Sequence, residues 1–309
     1  MRGLTILCFA CGSRKSAKHR ITTALLLFMN MQSQFLASPA AENQNALSNY
    51  SLDFTNQSNP DLQAKLEAID ARLREQYAMA ATQTAVGILD LKRLRLAMIR
   101  PDRIEYAASV PKIGILLAWF EAHPEAATSL DQTNRHELGL MIKASSNEMA
   151  AKYSRELGLK RIQQALDHYH FYDTNHGGGI WVGKHYGQGG ERIGDPIADH
   201  SHAATVRQLL RFYLLLEQER LVSVQASRRM MEIFASPEIP HEENKFVKGL
   251  SGRGLNILRK SGSWENWLHD TAVVSGPGRR YILVGLTHHP RGDDYLCELA
   301  RSVDDLMKE

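Results

Sequence analysis

Cysteine is scarce in this chain. Three occur in 309 residues, and two of them, Cys8 and Cys11, lie in the N-terminal leader, leaving Cys297 downstream. A chain that loses that leader cannot close an intrachain disulfide, which is compatible with export without demonstrating it. The C-x-x-C of Cys8 and Cys11 has no second pair after it and no strand pattern before it, and neither cysteine sits in a convincing lipobox. Excess charge is scarce as well. The formal net charge is +3, dispersed, and no Lys/Arg-rich block with interleaved aromatics follows residue 50, which argues against a nucleic-acid partner. Six histidines fall from His168 to His202, yet no H-E-x-x-H or other metal-ligand spacing appears among them, and no metal is expected. Nor is there an internal repeat. What remains is ordinary globular material, 23% charged and 43% apolar, enough for one large domain or two closely packed ones.

The N-terminus stands apart. Arg2, Arg14, Lys15, Lys18 and Arg20 precede an apolar run from Ile21 to Met29, and the small residues Ala37-Ser38-Pro39-Ala40-Ala41 follow. Basic, apolar, then small is the order of a secretory signal peptide over 1–40, cleaved near Ala40. The alternative is a retained membrane anchor, but the apolar run is short of the ~20 residues a span requires. The expected location is therefore periplasmic or extracellular. Residues 41–57, polar and rich in Asn and Ser, read as a linker.

From residue 58 the pattern is that of a folded domain. Ser58-Asn59-Pro60-Asp61 opens a helix with Leu62, Leu66, Ile69 and Leu73 at helical spacing. Thr84–Leu91 and Leu94–Ile99 read as a hairpin. Pro111-Lys112-Ile113 begins an apolar helix, Leu138–Leu157 reads as a second helical stretch, and Arg161–Tyr169 as a third. Residues 172–200, with eight glycines from Gly177 to Gly194, read as a long ordered loop that buries Trp181 and Tyr186. His202–Glu219 and Val224–Ala235 read as helices, then Leu255–Lys260, Leu268–Ser275 and Tyr281–His288 as strands, and Asp293–Met307 as a closing helix. This order predicts an α/β fold, an α+β sandwich: an antiparallel sheet built from both chain ends and flanked by helices, with an all-α subdomain over about 109–240 inserted between the sheet segments. The site is then expected in the seam between sheet and helical part.

Three short motifs carry chemistry. In Ser109-Val110-Pro111-Lys112, proline is tolerated only in a first helical turn, so Ser109 is placed at a helix N-terminus, where the dipole favours developing negative charge. Lys112, three residues on, shares its face and can take the serine proton if burial or a neighbouring cation lowers its pKa. Alone, the motif fits a capping serine equally well. Ser145-Ser146-Asn147 falls within the second helical stretch, where a solvated face is the plain alternative. Lys260-Ser261-Gly262 ends an apolar strand, and glycine there admits a close backbone approach.

Together, in this order, they read S-x-x-K, S-x-N and K-S/T-G. Over about residues 58–308 the chain resembles the serine β-lactamase and penicillin-binding-protein superfamily, and looks closest to class A β-lactamase-like proteins with a divergent omega loop. The resemblance implies a serine hydrolase that opens a β-lactam amide through an acyl-serine intermediate, with no cofactor. It implies Ser109 as nucleophile, Lys112 as its base and Ser145 as proton shuttle. Asn147, Lys260, Ser261, Gly262 and Ser263 then bind substrate, with the N–H groups of Ser109 and Ser263 as oxyanion hole. The alternatives within the fold are a D-alanyl-D-alanine peptidase or an esterase, and outside catalysis a penicillin-binding sensor that stays acylated. The partner is a small β-lactam or peptidoglycan-like substrate, with membrane contact only through an uncleaved leader, and the protein is expected to be a monomer.

Departures from the pattern matter. The interval between Ser109 and Ser145 is shorter than in class A enzymes, and Ser146 stands where they usually carry Asp. Their E-x-x-x-N loop motif, whose glutamate activates the deacylating water, is missing from 172–200, and Trp181-Val182-Gly183-Lys184 stands in that region. Glu191 is the loop's single glutamate and the replacement candidate, with Asp173, Asp195 and Asp199 as lesser ones. His269 falls near a position often held by a cationic residue. Deacylation is therefore expected to be slow.

Overall fold

The computed structural model describes residues 45–187 and 189–308, so the leader read over 1–40 lies outside the described residues. Helix α1 (Pro60–Gln76) starts where the sequence places it. Asn59 caps it, accepting from Leu62 N at 3.0 Å, and Pro60 takes the first helical position. The hairpin β1 (Thr84–Asp90) and β2 (Arg95–Ile99) follows, then the short β3 (Glu105–Tyr106). The helical middle comprises α2 (Lys112–Ala122), α3 (Gln132–Ile142), α4 (Asn147–Leu157) and α5 (Leu159–His168). Short strands β4 (Tyr172–Asp173), β5 (Gly178–Gly179), β6 (Trp181–Val182) and β7 (His202–Ala204) organise the glycine-rich segment. Helices α6 (Val206–Glu217), α7 (Val224–Ala235) and α8 (Lys245–Leu250) lead to β8 (Asn256–Trp264), β9 (Trp267–Gly276), β10 (Arg279–His288) and α9 (Gly292–Met307).

Both chain ends build one antiparallel sheet in the order β2-β1-β10-β9-β8. Its central strands are apolar on both sides because both faces are covered. On one face Val86, Ile88 and Leu283 meet Leu62 and Leu66 of α1 and Leu296 and Leu299 of α9. On the other, Ala85, Leu89 and Ile282 join the core of the helical part. Gly87 makes the second contact possible: a Cβ there would lie 2.4 Å from Val206 Cγ1 and 2.7 Å from Leu210 Cδ1, so α6 packs directly on the strand backbone. Helix α2 runs through the helical core and is buried along its first nine residues, as an all-round apolar helix must be. No helix among the described residues is long and apolar enough to cross a membrane.

Four boundaries differ from the sequence reading. The linker over 41–57 is, from residue 45, part of the packed domain. Residues 45–49 are helical, Leu47 and Leu52 are buried in the main core, and Gln218 Nε2 donates to the carbonyls of Leu47 (2.7 Å) and Tyr50 (2.6 Å). The stretch Leu138–Leu157 is two helices, because Ser145 takes φ 56° and Ser146 caps α4. His202–Ala204 is strand rather than helix, since it pairs with β3 on one side and β6 on the other. The loop 172–200 carries the small pairings β4–β5 and β6–β7 that hold its Trp181 end in place.

Candidate active site

The cleft lies in the seam between the sheet edge and the helical part. It encloses about 360 Å³ and is lined by Ser109 and Asn147, by Ser263 and Trp264 from the end of β8, and by Lys184 to Gly187 among others. Ser109 sits in the turn between β3 and α2. Val110 N closes that turn onto Ala107 O at 3.0 Å, and Ala108, immediately before Ser109, is held at φ 48°. A non-glycine residue in the left-handed region beside Ser109 is strain that the surrounding structure maintains. Part of that surrounding is Gly262. A Cβ at 262 would lie 2.7 Å from Ala107 O and 3.1 Å from Ser109 N. The sequence reading reserved this glycine for a close backbone approach; in the structure it admits the Ala107–Ser109 turn against β8.

Lys112 is fully buried at the start of α2. Its ammonium donates to Ser145 O (2.6 Å), Asn147 Oδ1 (2.8 Å) and, at 3.4 Å, Ser145 Oγ. Burial lowers its pKa to about 7. Lys260, also fully buried, reaches Ser145 Oγ from the other side at 2.8 Å and donates to Ser261 O at 2.7 Å. Burial pushes its pKa well down, and the charges of Lys112, Arg259 and Lys245 add to that shift. One hydroxyl thus bridges two lysines, neither of which holds its proton at the usual lysine pKa. The motifs have been brought together as their order implied, and protons can move along this line.

The middle residue of S-x-N explains itself. Ser146 Oγ accepts from Met149 N at 3.2 Å and caps α4, a task Asp performs equally well. The cap and the left-handed Ser145 together turn the Ser145 hydroxyl toward the lysines and set Asn147 at the first position of α4. Asn147 Oδ1 is committed to Lys112, since an ammonium only donates, so its NH2 group is left for the cleft. Ser261 is buried within β8, whereas Ser263 is exposed at the cleft.

Two site contacts escaped the sequence reading, although Tyr186 was expected to be buried and is. Tyr186 is buried, its ring 4.6 Å from Lys112 Nζ, and its hydroxyl donates to Ala108 O at 3.0 Å. It is further packed on His202 with ring centroids 4.2 Å apart. Lys245 lies under the strand, donating to Gly262 O (3.0 Å) and Ser263 Oγ (2.6 Å). No motif signals either one, because their partners are remote in sequence.

The loop acids are not brought to the cleft. Glu191 is exposed, and none of the described residues lining the cleft is acidic. Asp195 takes the backbone N–H groups of Ile197, Ala198 and His200 and so forms a turn, Asp199 pairs with Arg192 at 3.0 Å, and Asp173 accepts from Asn175 N. His269 is also removed: it is buried behind β8, its ring bonded to Tyr106 O at 2.8 Å, and burial lowers its pKa to about 3, so it offers no cation to a substrate.

The fold is shared with solved structures of low sequence identity. A β-lactamase from Sphaerobacter thermophilus superposes with a TM-score of 0.64 at 14% identity, covering 79% of this chain and 97% of that one. A mutant of PBP-A, solved as an acyl-enzyme complex with penicillin G, gives 0.62 at 18% identity, covering 80% and 97%. A class A β-lactamase from Mycobacterium abscessus gives 0.62 at 16% identity, covering 79% and 100%. Comparison with curated protein sequences finds no match. A family model matches residues 133–304, more than half the chain, spanning Ser145-Ser146-Asn147 and Lys260-Ser261-Gly262 but beginning after Ser109 and Lys112. With this match and the shared fold, the chain belongs to the beta-lactamase enzyme family.

Proposed function

We propose that the protein is a serine acyl-enzyme hydrolase whose acyl donor is a β-lactam amide and whose deacylation is slow. The observation that carries the reading is the line Lys112–Ser145–Lys260, with its lysines buried and one hydroxyl between them. Neutral Lys112 takes the Ser109 proton as Oγ bonds to the lactam carbonyl carbon. The N–H groups of Ser109 and Ser263 hold the oxyanion. The proton then passes through Ser145 Oγ to the leaving nitrogen as the C–N bond breaks. Asn147 and Ser263, which line the cleft, bind the substrate around it, with Lys260 behind Ser145 and Ser261 buried in β8.

Release of the acyl group needs a water and a base, and here Tyr186 favours a second reading. Its ring covers Lys112 and the cleft lining holds no carboxylate, so a penicillin-binding protein that stays acylated is the alternative. PBP-A, in mutant form, was captured as a penicillin G acyl-enzyme, which supports acylation as the common step on this fold. The leader adds the proposal that the enzyme works outside the cytoplasm, checked by N-terminal sequencing of protein from the native cell. Mass spectrometry after mixing with penicillin G tests the function: the wild type should gain one penicillin mass and Ser109→Ala none. A stoichiometric adduct on Ser109→Ala, or none on the wild type, overturns the assignment.

A further inference from the structure

A cavity of about 520 Å³ lies outside the active cleft and shares no lining residue with it. Its walls come from the end of α5 and from the loop 172–200, with Asp167, His170, Tyr172, Asp173, Thr174 and Trp181 among them. That volume is of the order of a small-ligand site. Tyr172 and Trp181 pack there with ring centroids 5.0 Å apart and an interplanar angle of 56°. Each ring is tied down at its polar end: Tyr172 Oη donates to Asp195 Oδ1 at 2.8 Å, and Trp181 Nε1 donates to Ile193 O at 2.9 Å. Both stand on paired backbone, Tyr172 opposite Gly179 and Trp181 opposite Ala203. Both stay partly exposed, so a ligand meets fixed ring surface and no free polar tip. The rest of the lining is polar. Asp167 and Thr174 are exposed and make no side-chain hydrogen bond among the described residues. His170 is exposed at φ 52°, and Arg211 fixes its turn by donating to the carbonyls of Tyr169 and of His170 itself. Asp173 alone is committed, to His176 Nδ1 at 2.7 Å and Asn175 N at 2.9 Å.

The chemistry of this lining selects a ligand class. No lysine or arginine lines the cavity, while two carboxylates do, so a phosphate or carboxylate ligand finds no counter-charge. A purely apolar ligand would strip water from Asp167 and give nothing back. A carboxylate only accepts, so the ligand must donate, and Thr174 and His170 can answer its acceptors. The electron-rich ring faces favour partly positive C–H groups. An ammonium would suit rings that enclose it, but these two rings pack on each other rather than around a slot. A pyranose has both requirements, a C–H face and a rim of hydroxyls. We infer that this cavity binds a neutral saccharide, its C–H face on Tyr172 and Trp181 and its hydroxyls on Asp167, Thr174 and His170. The site stands apart from the cleft and does not rest on the acyl-transfer reading.

Isothermal titration of the full chain with cellotetraose and with chitotetraose tests it. At least one of the two should bind saturably at a single site. Trp181→Ala should weaken that binding tenfold or more. Asp167→Ala should weaken it about tenfold, the loss expected of one hydrogen bond to a charged group. Asp167 is exposed and unbonded, so this variant decides the matter if Trp181→Ala fails to fold. Trp264→Ala, in the active cleft, should leave the affinity unchanged. Failure of both sugars to bind at millimolar concentration overturns the inference. So does binding that survives Trp181→Ala and Asp167→Ala, or that is lost in Trp264→Ala instead, since the sugar would then sit in the cleft. Tetralysine binding at Asp167 with no sugar bound would make the cavity a cation site and overturn it equally. Formation or absence of a penicillin adduct bears on the acyl-transfer reading alone.

Discussion

Lys112 sets how the site responds to pH. On the proposed mechanism its ammonium cannot accept the Ser109 proton, so acylation depends on the neutral amine. With its pKa lowered to about 7 by burial, the neutral fraction falls as pH drops below that value. The acylation rate with penicillin should therefore lose about tenfold per unit below pH 7 and level off above it. A stopped-flow profile that stays flat down to pH 5 removes Lys112 as base. Lys112→Ala should slow acylation by ~10²–10⁴-fold at pH 8. Ser109 and Lys112 were legible as a pair because their spacing is local and set by a helix start, whereas Asn147 was named through the resemblance of the three motifs. Tyr186 and Lys245 were not. Tyr186 reaches Ala108 across 78 residues and Lys245 reaches Ser263 across 18, and no local pattern encodes such meetings.

At the scale of elements, the break between α3 and α4 shows what periodicity misses. Helical spacing runs on through Leu138–Leu157 because both halves are helical, and a short turn leaves the apolar rhythm nearly intact. The signal was the serine itself: Ser146 is a good N-cap, and an N-cap has no place in a helix interior. Ser146→Ala should cost about 1 kcal/mol in denaturant unfolding, while Ser146→Asp should be neutral within a few tenths. If Ser146→Ala leaves stability unchanged, the cap does not hold Ser145 in its turn. The strands were better legible, since β1 and β10 are buried on both faces along nearly continuous apolar runs. Gly262 belongs to this scale too. Gly262→Ala places a methyl against Ala107 O and Ser109 N, both backbone atoms that cannot swing away. It should destabilise by roughly 1–3 kcal/mol and slow acylation, because the turn must shift. Thermal melts with adduct formation in parallel check it, and an unaffected acylation rate would show the turn is free to move.

Across the whole molecule, the cleft exists because chain ends and chain middle meet. The sheet supplies Lys260 and Ser263, the helical part supplies Ser109, Lys112 and Asn147, and the glycine-rich loop closes one wall with Tyr186. That general layout could be read from the order of elements; the packing of the loop could not, because glycine-rich backbone carries no periodicity to read. The loop decides the second half of the reaction. On the proposed mechanism acylation has its base, its shuttle and its donors, whereas the described cleft lining holds no carboxylate and Glu191 is exposed outside it. Penicillin should therefore give a burst of about one equivalent followed by slow release, and Glu191→Gln should change neither phase. A slower release in Glu191→Gln would mean the loop folds inward once acylated. Tyr186→Ala removes the ring over Lys112, leaving room for water next to its amine. Release from the acylated variant, followed by mass spectrometry, should then be faster than from the wild type while the burst survives. If the adduct on Tyr186→Ala lives as long as on the wild type, the aromatic cover is not what holds deacylation back, and the absence of a carboxylate alone accounts for it.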